Sequence, residues 1–460
     1  MLAENGSYRP STTYTILSAA GGVTGRFAAT TSNLAFLTPS LGYDANTVTL
    51  TLTRKTEPQP PTPEPPKPLA FNAVAATPNQ HGVADAVEAL GSGHPLFNAV
   101  IGQSAAGARQ AFDALSGEAH ASAHATAVHG AGMVQTTVLS RLRTAPAPSV
   151  TQVQGTYAAA YAADRAGDVV PEPVTLTLPS LDPRRFALWG QGFGTWGNVE
   201  ASANAAGLDT STGGFILGAE ARLDPTWTLG LAGGFTRSTF EADARLSSGT
   251  TDTFFASVYG AAAWGQVNLR LGASYAWHDI DTRRSIRFPG FADEVSASYG
   301  GATIQAFGEV GYALDLGQVT LEPFVGASVM RLHTDGFQEE GGAAALTGYA
   351  QDQDLATTTL GLRAEARLSD ELPVIARGML GWRHAYGDVN PTALLAFAGG
   401  ASSFAVAGTP VDRDALVAEA GLDWQASRDI SLGVSYEGQV GSRAQEHTVK
   451  GSFIWRFGTR

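Results

Sequence analysis

His120 and His124 lie four residues apart in an Ala-rich stretch, with Glu118 and His129 beside them. On a helix that spacing sets two imidazoles on one face, where they could chelate a metal ion. The simpler expectation is that they are polar residues of an enclosed helix, and no metal is assigned. Ser104 sits in Gly102-Gln-Ser-Ala-Ala-Gly107, which lacks the Gly-x-Ser-x-Gly spacing of a nucleophile elbow. No phosphate-binding pattern is present. His278, Asp279 and Asp281, with His333 and Asp335, fall near the ends of strand-like segments. They are what a protease or phospholipase site at a barrel rim would draw on. The expectation is no catalytic residue, no cofactor and no enzyme activity in this chain.

The elements that would carry these residues are mostly strands. From about Phe186 to Phe457 every second residue tends to be apolar. Leu360, Leu362, Ala364, Ala366 and Leu368 interleave with Gly361, Arg363, Glu365 and Arg367. Period two means a strand with one apolar and one polar face. Twelve such segments are expected near 186–197, 212–223, 227–240, 252–263, 266–279, 299–314, 318–335, 354–368, 373–386, 411–425, 429–441 and 445–457. Short turns at Asp224-Pro225, Gly265, Asp315–Gly317, Ser369–Glu371 and Ser427-Arg428 alternate with longer loops at 198–211, 241–251, 280–298, 336–353 and 387–410. That alternation, with an even strand number, is the pattern of a transmembrane barrel whose apolar face meets lipid.

Composition agrees. Of 460 residues only 15% are charged, 54 are Gly and none is Cys. Mean hydropathy is −0.02, and no run approaches the 18 apolar residues of a membrane helix. A helical membrane protein is excluded, and a net charge of −13 argues against a nucleic-acid partner. The absence of Cys suits an oxidising compartment. Met1-Leu-Ala-Glu-Asn-Gly6 has neither a basic nor an apolar leader segment. Since an exported barrel needs one, the chain is expected to be the C-terminal part of a longer precursor.

Five regions follow. Residues 1–56 form a β-rich unit, punctuated by Tyr14, Ile16 and Phe27 and ending in Val48–Arg54. Residues 57–68 are a Pro-rich linker, expected to be stiff and to mark a domain boundary. Residues 69–145 turn Ala-rich and helical, opening with Thr77 as N-cap and Pro78 in the first turn; further helices are expected at 96–101 and from 105 to about 143. Residues 146–183 are an irregular connector, and 184–460 the barrel.

The polar face of the strands carries Glu220, Arg222, Arg270, Glu309, Glu322 and Arg363. It continues with Glu365, Arg367, Arg377, Glu419, Asp423 and Lys450. These twelve are expected to line a lumen, with Arg363, Glu365 and Arg367, and Glu419 with Asp423, pairing against an enclosed helix. Trp227, Tyr275, Trp277, Tyr312, Trp382, Tyr386, Trp424 and Tyr436 sit on the apolar face near strand ends, as lipid-interface girdles do. The last strand places Phe453, Trp455 and Phe457 at every second position before Gly458-Thr-Arg460.

In their order these regions resemble the C-terminal translocator of a monomeric (type Va) autotransporter. Residues 14–54 resemble the last rungs of a passenger β-helix, the autochaperone stretch. Thr77-Pro-Asn-Gln80 and Ala111–Ser122 resemble the helical connector, and Trp189-Gly-Gln-Gly-Phe-Gly-Thr-Trp-Gly197 the first barrel strand. The resemblance implies an all-β outer-membrane barrel of about twelve antiparallel strands with a helix in its pore, anchoring and exporting an N-terminal passenger without nucleotide hydrolysis. It implies outer-membrane lipid, barrel-assembly machinery, periplasmic chaperones and the chain's own passenger as partners of a monomer. Phe453, Trp455 and Phe457 would be the assembly signal. On size, Gly117 to Gly132, mostly Ala, Ser, His and Gly, qualifies for the pore. Lumenal self-cleavage, which uses an Asn in the helix, finds none in 111–143. A barrel enzyme and a passive porin are the alternatives.

Overall fold

The computed structural model describes residues 11–58, 66–144, 150–154, 175–179, 185–368 and 373–458. The core of the Pro-rich stretch (59–65), most of the 146–183 connector, the turn at 369–371 and the last two residues lie outside the described residues.

In chain order, β1 (Thr12–Ser18), β2 (Leu37–Tyr43) and β3 (Thr47–Arg54) form an antiparallel sheet in the order β1-β3-β2. Stacked β-helix rungs pair in parallel, so the resemblance of 14–54 to such rungs does not extend to strand pairing. Four helices follow: α1 (Pro78–Leu90), α2 (Pro95–Ile101), α3 (Ala105–Leu115) and α4 (Glu118–Arg143). Thr77 caps α1 by accepting from Gln80 N, as its type and the following Pro78 foretell. The single helix expected from 105 to 143 is broken at Ser116-Gly117. Gly117 has φ +69°, and a Cβ there would lie 2.4 Å from Leu346 Cδ1. Only glycine takes that turn under that side chain without strain. Within the connector, β4 (Val150–Gln154) and β5 (Thr175–Pro179) pair antiparallel, where irregular chain is expected.

The barrel begins with β6 (Phe186–Val199), β7 (Leu208–Arg222), β8 (Trp227–Ala242), β9 (Ser247–Trp264), β10 (Val267–Phe288) and β11 (Phe291–Tyr312). The two-residue β12 (Leu314–Asp315) and barrel strand β13 (Val319–Thr334) follow. Three short strands, β14 (Phe337–Gln338), β15 (Glu340–Gly341) and β16 (Leu346–Gly348), cross the next loop. Barrel strands β17 (Gln351–Arg367) and β18 (Val374–Gly387) come next, then loop strands β19 (Thr392–Phe397) and β20 (Ser403–Ala407). The barrel ends with β21 (Asp414–Trp424), β22 (Ile430–Gly441) and β23 (Ala444–Phe457). Its twelve strands are antiparallel, and β23 pairs with β6 to close the ring, Phe457 opposite Phe186.

Every one of the twelve expected segments is a strand, but two expected loops are not loops. Residues 280–298 are mostly the upper parts of β10 and β11, joined at Pro289-Gly290, and 241–251 shrinks to one short turn. The cause is visible in the side chains. Below Trp277 the outward residues are apolar: Leu271, Tyr275 and Trp277 are exposed. Above it the faces exchange character. Ile280, Ile286 and Phe288 point inward and are buried, whereas Asp279, Asp281, Arg283 and Arg287 are exposed. Period two persists with its sign reversed where the strands rise out of the apolar belt.

That belt is bounded by exposed aromatic residues at both ends. Trp227, Trp264, Tyr312, Trp424, Trp455 and Phe457 mark the end with short turns, and Trp196, Trp277, Trp382, Tyr386 and Tyr436 the end with the loops. Amphipathic rings favour a lipid–water interface. Among the described residues no helix is long and apolar enough to cross a membrane.

Candidate functional site: the occupied lumen

α4 runs through the barrel. Its 26 residues span about 39 Å at 1.5 Å per residue; 20 of them are buried, and among these small Ala residues and polar side chains outnumber large apolar ones. Ala119, Ala121, Ala123, Ala125 and Ala127 let it lie close to the wall, and it packs most heavily on β8, β9 and β10. Thr126 Oγ1 stands 3.3 Å from Thr251 Oγ1, and Gln191 Nε2 donates to Thr137 Oγ1 at 3.1 Å. A space of about 80 Å³ with a mixed lining that includes His129, Gln135, Arg383, Met330 and Leu355 lies beside it.

At the turn end the helix is held by charge. Arg141 pairs with Glu220. Arg143 binds Glu309 with two N–H groups, at 3.1 and 2.8 Å, and its Nη1 is 3.9 Å from Glu419. Glu309 is shared: Arg270 donates to it at 3.0 Å and Arg363 at 2.5 Å. The same two arginines donate to Glu322, at 2.6 and 3.0 Å. The Arg363 guanidinium also lies 3.4 Å from the centre of the Phe324 ring. Arg377 bridges Asp423, at 2.5 Å, and Ser140 of the helix, at 3.5 Å.

All twelve charged residues expected in the lumen stand on inward-facing strand positions. Three carboxylates, Glu220, Glu309 and Glu419, meet the helix arginines directly. The others mostly belong to the wall. Arg363 pairs with Glu322 across the β13–β17 register rather than with Glu365 along its own strand, because cross-strand neighbours are closer than i, i+2. Glu419 faces Arg143, not Asp423, and Lys450 pairs with Glu437. Arg222 and Glu365 are half-buried, while Arg367 is exposed at the rim. Phe453, Trp455 and Phe457 all face outward.

At the loop end the contacts change. α1, α2 and α3 do not enter the pore; they form a cap over it with β16, β19, β20 and the tips of β10 and β11. Phe71, Leu96, Phe97, Phe112, Leu346 and Phe397 share this buried apolar cluster with Phe36, just before β2, and Leu52 of β3. Asn79, in the connector-like Thr-Pro-Asn-Gln, clasps two loops. Its Nδ2 donates to Ala407 O at 2.9 Å, its Oδ1 accepts from Ala407 N at 2.9 Å, and its backbone N donates to Asn204 Oδ1 at 2.9 Å. A Cβ on Gly408 would lie 2.7 Å from the backbone carbon of Ala121, so the loop after β20 rests against α4 itself.

The histidines are structural. His120 Nε2 is 2.8 Å from Glu339 Oε1 and its Nδ1 3.2 Å from the Tyr299 hydroxyl; His124 Nε2 contacts Thr334 Oγ1 at 3.2 Å. Glu339 also binds Arg284 with both oxygens, each at 2.7 Å. Burial alone would raise the Glu339 carboxyl, but Arg284 and His120 hold it at about 2. Glu118, at the first turn of α4, accepts from Ala206 N at 2.5 Å and from Arg245 Nε at 3.1 Å. Glu118 is visible in sequence only as a neighbour of the histidines, while Glu339, Arg284 and Arg245 carry no sequence signal, because each joins elements with no shared period. No group of residues suited to hold a metal occurs among the described residues.

The five rim residues do not form one cluster: His333 pairs with Asp335 at 3.5 Å on the outer face, apart from His278. His278 points inward, between Thr253 and Thr303 at 2.8 Å each, while its neighbours Asp279 and Asp281 point outward on the opposite face. His333 is also outward, on Asp352 at 2.6 Å. Period two keeps the imidazole of His278 apart from the carboxylates a hydrolase would need.

A family described as the autotransporter beta-domain matches residues 188–437. Two proteins of Serratia marcescens, both named extracellular serine protease, are 31% and 32% identical over 96% of this chain; the chain spans only 43% of the length of each. Among solved structures, the translocator domain of autotransporter NalP from Neisseria meningitidis superposes with a TM-score of 0.50 at 18% identity. That match covers 60% of this chain and 90% of that one, a likeness of fold.

Proposed function

The chain belongs to the autotransporter β-domain family, outer-membrane barrels that export a passenger to the cell surface, and from that premise we propose how its parts divide the work. The barrel is the conduit, and α4 is the trailing segment of the exported chain at rest in it. The single observation that carries this is the enclosed helix, held by Arg141 and Arg143 on wall carboxylates. Its small residues and the polar lumen fit a chain that slides through before it locks. No nucleotide is needed; folding outside biases the movement outward.

Residues 1–56 are the end of the passenger. In support, among the described residues β1 is an edge strand of its sheet and leaves Ile16 and Leu17 exposed. The barrel domain is not itself a catalyst. The whole protein, a monomer that exports its own passenger, has the activity its relatives are named for, that of an extracellular serine protease; in support, two relatives so named match 96% of this chain, which spans 43% of each. Phe453, Trp455 and Phe457 are the signal read by barrel-assembly machinery after periplasmic chaperones deliver the chain. The charges named above act as a collar that holds α4 once export is complete.

Single-channel recording tests the resting state. The full chain in a planar bilayer should show little conductance, and a variant lacking 69–143 should show large, stable steps. Equal large conductance in both would sink the proposal.

A further inference from the structure

Asn79 is 3% exposed, and every hydrogen-bonding position of its side-chain amide is filled. Its Nδ2 donates to Ala407 O at 2.9 Å and to Asn204 O at 3.2 Å. Its Oδ1 accepts from Ala407 N at 2.9 Å and from Asn204 Nδ2 at 3.0 Å. Asn204 lies in the loop between β6 and β7, and Ala407 ends β20 in the loop between β18 and β21. Ala407 offers an N–H and a C=O together. A carboxamide answers both from one fixed fork, and a carboxylate cannot.

The same two loops also touch the start of α4, at neighbouring residues. Ala206 N donates to Glu118 Oε1 at 2.5 Å, and Gly408 lies against the backbone of Ala121. Thr409 Oγ1 donates to Ala206 O at 3.3 Å and ties one loop to the other. Beside Asn79, Gln80 Nε2 donates to Asp113 Oδ1 at 3.0 Å, which keys α1 to α3. Seating Asn79 therefore fixes the height of α4 in the barrel. The tether behind α4 does not, since residues 145–185 fully extended reach about 130 Å at ~3.3 Å per residue. Nor does the bore grip that face of the helix: a Cβ on Gly130 or Gly132 would have no atom within 4 Å.

We propose that Asn79 is a positioning residue for export: its seating between the two outer loops sets the height at which outward movement stops. This rests on reading α4 as the trailing segment of the exported chain. While the chain moves, Ala407 and Asn204 present polar groups to each residue that passes. Asn79 answers all of them at once, and in the closed cap any other residue leaves some of them buried and unpaired, which is the costly case. The collar then holds what the loops have placed.

Cysteine pairs in the full chain read the height of α4. Thr126→Cys with Thr251→Cys links at rest, where the native hydroxyl oxygens are 3.3 Å apart. Gly130→Cys with Thr251→Cys reads a helix about one turn too far out. Both pairs are placed in an Arg143→Ala chain, which weakens the hold at the turn end, and are oxidised in outer membranes. With Asn79 present the first pair should link and the second should not. Asn79→Asp, of the same size but without N–H groups, should cut linking of the first pair several-fold and raise that of the second. Asn204→Ala, which removes one loop's part and leaves α1 unaltered, should move both pairs the same way. Unchanged linking in these two variants, or linking at 130 with Asn79 present, would overturn the proposal. Phe112→Ala loosens the apolar cap without touching either loop. It should lower the melting temperature and leave the first pair linked; a shift equal to that of Asn79→Asp would show that general loosening, not the amide, moves the helix. Heat-modifiable gel mobility reports a folded barrel in each variant. An N-terminal epitope tag, labelled on intact cells, tests the export reading separately. Absence of label would overturn that reading, and the same pairs in the purified chain in micelles would still decide what sets the height.

Discussion

At the turn end, α4 is held by arginines that share wall carboxylates, with Glu309 serving Arg143, Arg270 and Arg363 together. At the loop end, the same helix begins beneath an apolar cap in which Phe71, Phe112 and Phe397 are buried completely or nearly so. The collar is polar, as a lumen must be if unfolded chain is to pass through it. The cap is apolar, and it draws on α1–α3, on outer loops and on the N-terminal sheet. It can assemble only when all of these are on the same side of the barrel. Passage and retention thus use different physics at opposite ends of one helix. Ion pairs in a partly buried site are sensitive to the loss of any one partner, whereas an apolar core loses stability in proportion to what is removed.

The largest effects should separate the two ends. Glu309→Gln leaves three guanidinium groups short of a partner and should weaken the collar by about 3–5 kcal/mol. Amide exchange should rise in the last turns of α4 and not in the cap. Phe71→Ala should cost about 3–5 kcal/mol of cap stability, with exchange rising in α1 and β3 while the collar stays protected. If both variants loosened both ends alike, the division into collar and cap would be wrong. Arg143→Ala should cost less, about 1.5–3 kcal/mol for a charged hydrogen-bonded contact. Glu309 keeps Arg270 and Arg363 in that variant, and single-channel noise is a sensitive readout.

Acid should reach the loop end through Glu339. Its carboxyl is held at about 2 in the fold, against an ordinary value of 4.5. The stability it contributes is complete above about pH 4.5 and is lost as pH falls towards 2. Proteolysis of the 336–350 loop by an acid-active protease should therefore rise over that window, and Glu339→Gln should be equally sensitive at both ends of it. The smallest effect is expected from Arg331→Ala. Arg331 and Asp354 form a well-aligned pair at 2.6 Å, but both are more than half exposed on the outer wall. Exposed pairs of this kind contribute little, so thermal melting should not move measurably.

The two ends also differ in how far sequence reveals them. The barrel and the collar are legible because period two is enforced residue by residue, and an Arg or Glu on the polar face of a lipid-bounded strand has only the lumen to enter. The cap is not legible in that way. Ile286 and Phe288 face inward by the same alternation as Arg270 and His278, but they are apolar there because the cap covers them, and that reverses the pattern that marks the strands below Trp277. The exposed charges at 279–287 then imitate a loop. The Arg284–Glu339–His120 cluster joins a strand, a loop and a helix with no shared period, so nothing local announces it. Pairing within the collar was also out of reach, because it depends on register: Arg363 lies opposite Glu322, which fixes its partner.

The central claim is that α4 rests inside the barrel and is not merely attached to it. The chain has no cysteine, so one pair can be introduced cleanly. Thr126→Cys with Thr251→Cys places two thiols where the native hydroxyl oxygens are 3.3 Å apart, compatible with a disulfide. Mild oxidation of the folded chain in outer membranes should link them and shift its mobility on a non-reducing gel. Thr126→Cys paired with Phe254→Cys, on the exposed outer wall, should not link. Failure of the first pair to cross-link, or equal cross-linking of both, would contradict a helix in the lumen.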